Sequence, residues 1–393
     1  MKLHKIVSLA CLILFLHACA SARHTLPEQL TDQAVVLGGP AARMWGDKLP
    51  GDINARVELI RRQFAADSDT NIFDRPATYL ALSGGGANGA FGAGFLKGWS
   101  ESGTRPEMVI VAGISTGALI APYAFLGSGY DDELERLYTN MATSDLVAER
   151  SLIRGVFSDA LYDTRPLREM LRWEIDEQMI LEIAREYRRG RRLLIGTTNL
   201  DSQRPVIWNI GAIAQVGTPE ANQLIRDVIL ASASIPGVFP PVRIEVKVGD
   251  QVYDEVHVDG GVSTQVFIYP SQIDLRRAAR DVGISGDQTI YVIRNGYLDA
   301  QWSEVNLGLG SILISSLDTI IRTQGLGDLY RIYLGAVRDK ARFKLAYISD
   351  DFEVESNELF DPEYMKALFD MAYEQARNGY DWADSPPGFI YVE

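Results

Sequence analysis

The chain has 393 residues, 47% hydrophobic and 9% aromatic, ample for a large core built as one big domain with appendages or as two domains. A formal charge of −14 argues against nucleic acid as a partner and against electrostatic docking on anionic lipid. The only two cysteines are Cys11 and Cys19, which excludes a disulfide scaffold.

The first eighteen residues read as a secretory signal. Lys2 and Lys5 open it, and the apolar run over 6–16 is too short for a comfortable membrane span. The run ends at Leu16-His17-Ala18-Cys19, which has the form of a bacterial lipobox with an unusual His17. Cleavage there would make Cys19 the acylated N-terminus and hold the protein to a membrane by its lipid anchor. An ordinary signal cut near Ala18 or Ala20 is the alternative. The expected location is the bacterial cell envelope, and Ala20 after Cys19 favours the outer membrane, facing the periplasm.

Residues 19–76 form a tether and N-terminal segment, with a short helix over 57–64, a polar turn-rich stretch over 66–74 and no evident chemistry. A strand over 78–82 then runs into Gly84-Gly85-Gly86-Ala87-Asn88-Gly89, followed by helical spacing over 90–99. A second strand over 108–112 meets Gly113-Ile114-Ser115-Thr116-Gly117, followed by an apolar helix over 118–125. Strand, glycine turn and helix thus occur twice in close succession. That alternation predicts an α/β fold with a mostly parallel sheet between helical layers. Further on, the spacing predicts helices over 131–140 and 166–189 and strands over 191–200 and 206–210. A helix over 219–232 is broken at 234–237. A hairpin of 242–248 with 251–258 leads into Asp259-Gly260-Gly261. A strand over 289–293 closes a catalytic domain spanning 77–295. The extension over 296–393 is mainly helical, with helices over 307–322, 326–340 and 362–379 and a strand over 342–349. The helices over 118–125 and 307–317 are apolar; core packing is their first reading and an acyl channel the second.

Three motifs supply the parts of an acyl-transfer site: a nucleophile, an acid/base partner and an anion stabiliser. Ser115, between flanking Gly113 and Gly117, sits where a strand turns sharply into a helix, which exposes its hydroxyl at the C-terminal edge of a parallel sheet. The bland reading of Ser115 is a helix cap. The glycine loop also satisfies a dinucleotide fingerprint, which requires an acidic residue at the end of the second strand. Glu107 lies near that distance but precedes the strand, so an anion nest is the better reading. Among the four histidines only His257 lies in the folded body. A triad through it would need Asp259 as orienter, yet strand residues two apart point to the same face and sit side by side. His257 is expected to be a wall residue or a half-exposed strand residue. Direct pairing of Ser115 with Asp259 is simpler, provided burial raises the proton affinity of the carboxylate.

Together with Ala231-Ser232-Ala233-Ser234-Ile235-Pro236, these motifs occur in the order found in the patatin-like phospholipase family, and the chain resembles its bacterial branch. The resemblance implies a three-layer α/β/α sandwich and a Ser-Asp dyad of Ser115 and Asp259. It places Gly84, Gly85 and Gly86 in the oxyanion loop and keeps Gly89, Gly113, Gly117, Gly260 and Gly261 as motif positions. It implies hydrolysis of lipid acyl esters with no metal and no cofactor. Two positions depart from the family pattern: Ser83 stands where many members carry Asp, and Asn88 where many carry a basic residue. The rival to a lipid hydrolase is a lipid-binding envelope lipoprotein that keeps the fold without the catalysis. No oligomeric state is legible.

Overall fold

A computed structural model describes residues 23–389 apart from 67–75, 147, 150–159, 285, 301, 303 and 357. The expected signal, Cys19 and most of the 66–74 stretch lie outside the described residues.

The strands of the main sheet are β1 (Arg43–Trp45), β2 (Ala77–Leu82), β3 (Ile110–Gly113), β4 (Arg192–Asn199), β5 (Arg204–Asn209), β6 (Val242–Val248), β7 (Gln251–Asp259), β8 (Gln288–Arg294) and β9 (Arg342–Tyr347). The helices that matter here are α1 (Ile53–Ala66), α2 (Gly89–Glu101), α3 (Thr116–Leu126), α4 (Asp131–Thr139), α5 (Arg165–Glu174), α6 (Glu177–Arg188), α7 (Ile210–Ala214), α8 (Pro219–Ser232), α9 (Leu275–Val282), α10 (Leu309–Asp339) and α11 (Pro362–Arg377).

One nine-stranded sheet runs β1-β5-β4-β3-β2-β8-β9, with the β6–β7 hairpin attached through β7. The five strands from β4 to β9 along this path are parallel, and β5 and β1 continue antiparallel. Every residue of β2 and β4 is buried, as expected of strands covered on both faces. Alternation divides their side chains between two cores. Leu80, Leu82, Val111, Leu193 and Ile195 pack with α2, α3 and α11 on one face. Tyr79, Ala81, Ala112, Ile114 and Leu194 pack beneath α1, α9 and α10 on the other. The result is the α/β/α sandwich expected from the sequence.

β3 is four residues long, so β4 outruns it. The end of β7 occupies the space beyond and pairs antiparallel with β4, aligning Thr197 with Asp259 and Asn199 with His257. This register carries Asp259 to the C-terminal edge of the parallel strands, where β3 delivers Ser115.

Several local expectations are corrected. The helix expected over 166–189 is two helices, α5 and α6, because the Asp176 side chain accepts the Met179 N–H at 2.8 Å and starts a new helix. The two helices expected over 307–340 are the single 31-residue α10, which passes through Gly325 and Gly327. A glycine inside a helix costs only about 1 kcal/mol. The N-terminal segment is more than a tether: Val35 pairs with Lys247, and Arg43 reaches into the core to Glu255. As first read from the sequence, helix α3 is core, with Ala118 and Ile120 through Phe125 buried. At the start of α10, Leu307 and Ile312 are exposed. Finally, α11 lies directly on α2; a Cβ on Gly94 would stand 2.2 Å from the Phe369 carbonyl oxygen, so only glycine permits that approach.

Candidate active site

Ser115 has φ 55° and ψ −124°, a left-handed backbone that a non-glycine residue adopts only under strain. The turn is held from three sides. The Ser115 N–H donates to Ser232 Oγ at 3.0 Å, and Ser232 in turn donates to the Gly196 carbonyl at 2.6 Å. A Cβ on Gly113 would lie 2.2 Å from Gly117 O, and one on Gly117 would lie 2.4 Å from Leu82 O. The glycines around the serine are therefore required by the backbone crossing. Ser115 is largely buried, with 8% of its surface exposed.

Asp259 stands at the end of β7 with 3% of its surface exposed. Its N–H donates to the Ser234 carbonyl at 2.9 Å, so the Ala231–Pro236 block grips both Ser115 and Asp259. The Gly261 N–H donates to Asp259 Oδ1 at 2.7 Å. Oδ2 is buried without a formed hydrogen bond among the described residues. Burial pushes the carboxyl up to about 7, against the smaller downward pull of the neighbouring Ser115 hydroxyl and the Gly261 N–H. Close backbone contact shapes this turn too: a Cβ on Gly260 would meet Gly196 O at 2.5 Å, and one on Gly261 would meet Gln265 Nε2 at 2.5 Å.

The glycine loop enters from β2. Its first member is corrected as an anion donor, because the Gly84 N–H donates to the Gln265 carbonyl at 3.1 Å. The chain following Asp259 folds back over the loop and occupies that donor. The N–H groups of Gly85 and Gly86 have no protein acceptor among the described residues and, of the three glycines expected to form the oxyanion loop, are the two still open to an anion. Gly86 has φ 58° and open space where a Cβ would stand. Gly85 lies against Asn295, whose carbonyl oxygen would be 2.0 Å from a Cβ there. Gly89 starts α2 against the Thr116 and Tyr138 hydroxyls.

The two departures from the family pattern both serve to brace this loop. Ser83 Oγ accepts the Asn295 N–H at 2.8 Å, and Asn295 Nδ2 donates to Ser83 O at 2.8 Å. Asn88 Oδ1 accepts the Tyr364 hydroxyl of α11 at 2.5 Å. Asn295, Gln265 and Tyr364 were missed by sequence reasoning; each lies far along the chain from the loop and belongs to no motif.

His257 lies outside the site. It is fully buried rather than half-exposed: on β7 it lies between β6 and β4, with the Trp208 ring centroid 5.3 Å from its own. Nε2 meets Glu255 Oε2 at 3.1 Å and Nδ1 meets Thr197 Oγ1 at 3.0 Å. Thr197 also accepts Trp208 Nε1–H at 2.7 Å, so its own proton is free for Nδ1 and the ring is the neutral Nε2–H tautomer. Burial lowers the histidine pKa, although Glu255 opposes it.

Known proteins resemble part of this chain. A Pyricularia oryzae patatin-like phospholipase domain-containing protein is 26% identical over 214 residues, 52% of this chain and 26% of the relative. An Aspergillus niger protein of the same description is 30% identical over 187 residues, 46% of this chain and 23% of the relative. The chain spans about a quarter of the length of the curated relatives it matches, and these two are fungal. Among solved structures, VipD from Legionella pneumophila aligns at 12% identity with a TM-score of 0.39, over 77% of this chain and 66% of that one. The family matched, over residues 80–270, is Patatin-like phospholipase, and that segment carries the glycine loop, Ser115 and Asp259.

Proposed function

We propose that this protein is a serine acyl hydrolase acting on the acyl esters of lipids, with Ser115 as nucleophile and Asp259 as its general base. Asp259 takes the Ser115 proton as the alkoxide attacks the ester carbonyl carbon. The oxyanion of the tetrahedral intermediate faces the N–H groups of Gly85 and Gly86. Its collapse breaks the ester bond and hands the proton from Asp259 to the departing alcohol. A water that gives its proton to Asp259 then hydrolyses the acyl-serine.

The observation that carries this reading is the carboxyl of Asp259, raised to about 7 by burial beside the hydroxyl of a strained strand-to-helix turn. A base with that proton affinity works near neutral pH without an imidazole. The match over residues 80–270 supports a lipid acyl ester as substrate class. We further propose, from the sequence before residue 23, a bacterial lipoprotein anchored through Cys19 in the outer membrane and facing the periplasm.

A fluorophosphonate probe should label Ser115, and a chromogenic ester should be turned over by the wild type and not by Ser115→Ala or Asp259→Asn. Turnover of no ester at any chain length, in folded wild type, would instead favour the lipid-binding lipoprotein. Palmitate incorporation abolished by Cys19→Ser tests the anchor.

A further inference from the structure

Between the glycine loop and the Asp259 turn lies a side chain that the reaction scheme leaves unused. Gln265 is buried and touches both. Its backbone carbonyl accepts the Gly84 N–H at 3.1 Å, and its Nε2 donates to the Gly261 carbonyl at 2.8 Å. A Cβ built on Gly84 would lie 3.1 Å from Gln265 Oε1 and 3.2 Å from Ser115 Cβ, so the amide, the loop and the nucleophile are packed against one another.

Gln265 is itself anchored from the C-terminal third of the chain. Its N–H donates to Asp328 Oδ2 of α10 at 2.7 Å, and the Val266 N–H reaches the same oxygen at 3.5 Å. Asp328 is 1% exposed and paired with Arg331 at 2.6 Å. The Arg294 guanidinium packs beside it against Gly325, where a Cβ would stand 2.5 Å from Nη1. A buried acid paired with Arg331 and accepting two backbone N–H groups makes a stiff support.

We infer that Gln265, held by Asp328, is a positioning residue that fixes the glycine loop and the Asp259 turn relative to each other. The inference rests on the Ser115–Asp259 reading. Gly261 links the two sides physically: its carbonyl is tied to Gln265, and its N–H supports Asp259 Oδ1. Freeing that carbonyl lets the Gly261 peptide turn, weakens its bond to Asp259 and loosens the Asp259 turn from the loop, which stays tied to the Gln265 backbone. A carboxylate deprived of a donor holds its proton more tightly. Burial, the Ser115 hydroxyl and the Gly261 N–H set the proton affinity of Asp259, while Asp328, Arg331 and Arg294 are the charged groups gathered about the backbone of Gln265.

The test is Gln265→Met in the full chain, which keeps the shape and removes the amide. Turnover of a chromogenic ester should show kcat reduced about 10- to 100-fold with KM changed less than about twofold, the pattern of lost alignment rather than lost binding. The acid limb of kcat/KM should move up by roughly half a pH unit, a shift that a purely structural side chain would not produce. Asp328→Asn, which loosens only the anchor, should move both readouts the same way by a smaller factor; it decides the question if Gln265→Met does not fold. Wild-type kcat and an unmoved acid limb in a folded variant would overturn the inference and leave the Ser115–Asp259 reading standing. Activity surviving in Asp259→Asn would overturn that reading instead.

Discussion

Glu255 and Asp259 lie four residues apart on β7, both buried, and their proton affinities move in opposite directions. Burial pushes each upward. At Glu255 that push is outweighed by hydrogen bonds from His257 and Arg43 and by the charge of Arg43, and the carboxyl falls to about 2. At Asp259 no cation intervenes among the described residues, and the carboxyl rises to about 7. Glu255 is a permanent charge locked into a structural pair; Asp259 is a group poised to exchange a proton. Burial alone does not make a base. What separates the two is whether the fold supplies a cation, and here the cation arrives on β1, more than two hundred residues earlier in the chain.

The contrast can be broken at either end, and the catalytic end should give the largest effect. Ser115→Ala should reduce ester turnover to background, and Asp259→Asn should lower kcat by about 10²- to 10⁴-fold, the usual range for a general base. In the wild type, kcat/KM should rise about tenfold per pH unit below pH 7 and level off above it, because the base works only when ionised. At the structural end, Arg43→Met strands the Glu255 charge in the core and should cost about 3–5 kcal/mol in urea unfolding at pH 7. Folded Arg43→Met protein should keep its turnover, since Arg43 lies outside the site.

A smaller effect sharpens the comparison through stability. The raised pKa of Asp259 means that the folded state favours the protonated acid. Its contribution to stability is therefore fully present below the unfolded value of 3.8 and is lost as pH rises through about 7. Asn at this position has no charge to bury. Asp259→Asn should thus match the wild type near pH 4 and become more stable by roughly 2–4 kcal/mol above pH 8, measured as denaturation midpoints across that range. No gain at high pH would contradict the raised proton affinity. The smallest change is expected for His257→Leu, which removes a hydrogen-bonded neutral ring and should cost about 1–3 kcal/mol while leaving kcat and the pH profile unchanged. A shifted profile there would bring the histidine back into the mechanism.

How much of this could be read in advance varies from residue to residue. The strand-to-helix turn at Ser115 was legible because its cause is local: apolar strand residues, a glycine on either side and an apolar helix beyond. Asp259 was legible for the same reason, with a strand before it and two glycines after. The oxyanion loop was read one residue too generously, since nothing within 84–89 says that the Gly84 N–H will be taken by Gln265. The fate of residues 166–189 turned on a single cap at Asp176, whose residue type also occurs freely inside helices. Gln265, Asn295 and Tyr364 carried no signal, because each gains its importance only from the segment that lies against it.

The sequence by itself determined the alternation of strand, glycine turn and helix and the placing of the serine and the aspartate at strand ends. Those features follow from short-range sterics and from the period of apolar residues, which act within a dozen positions. Only the tertiary structure decided that β7 pairs with the end of β4, that Glu255 receives Arg43 while Asp259 receives no cation, and that Gln265 ties the loop to the turn. Proton affinity and hydrogen-bond partnership depend on what stands within a few ångströms, and in this protein those neighbours come from distant parts of the chain.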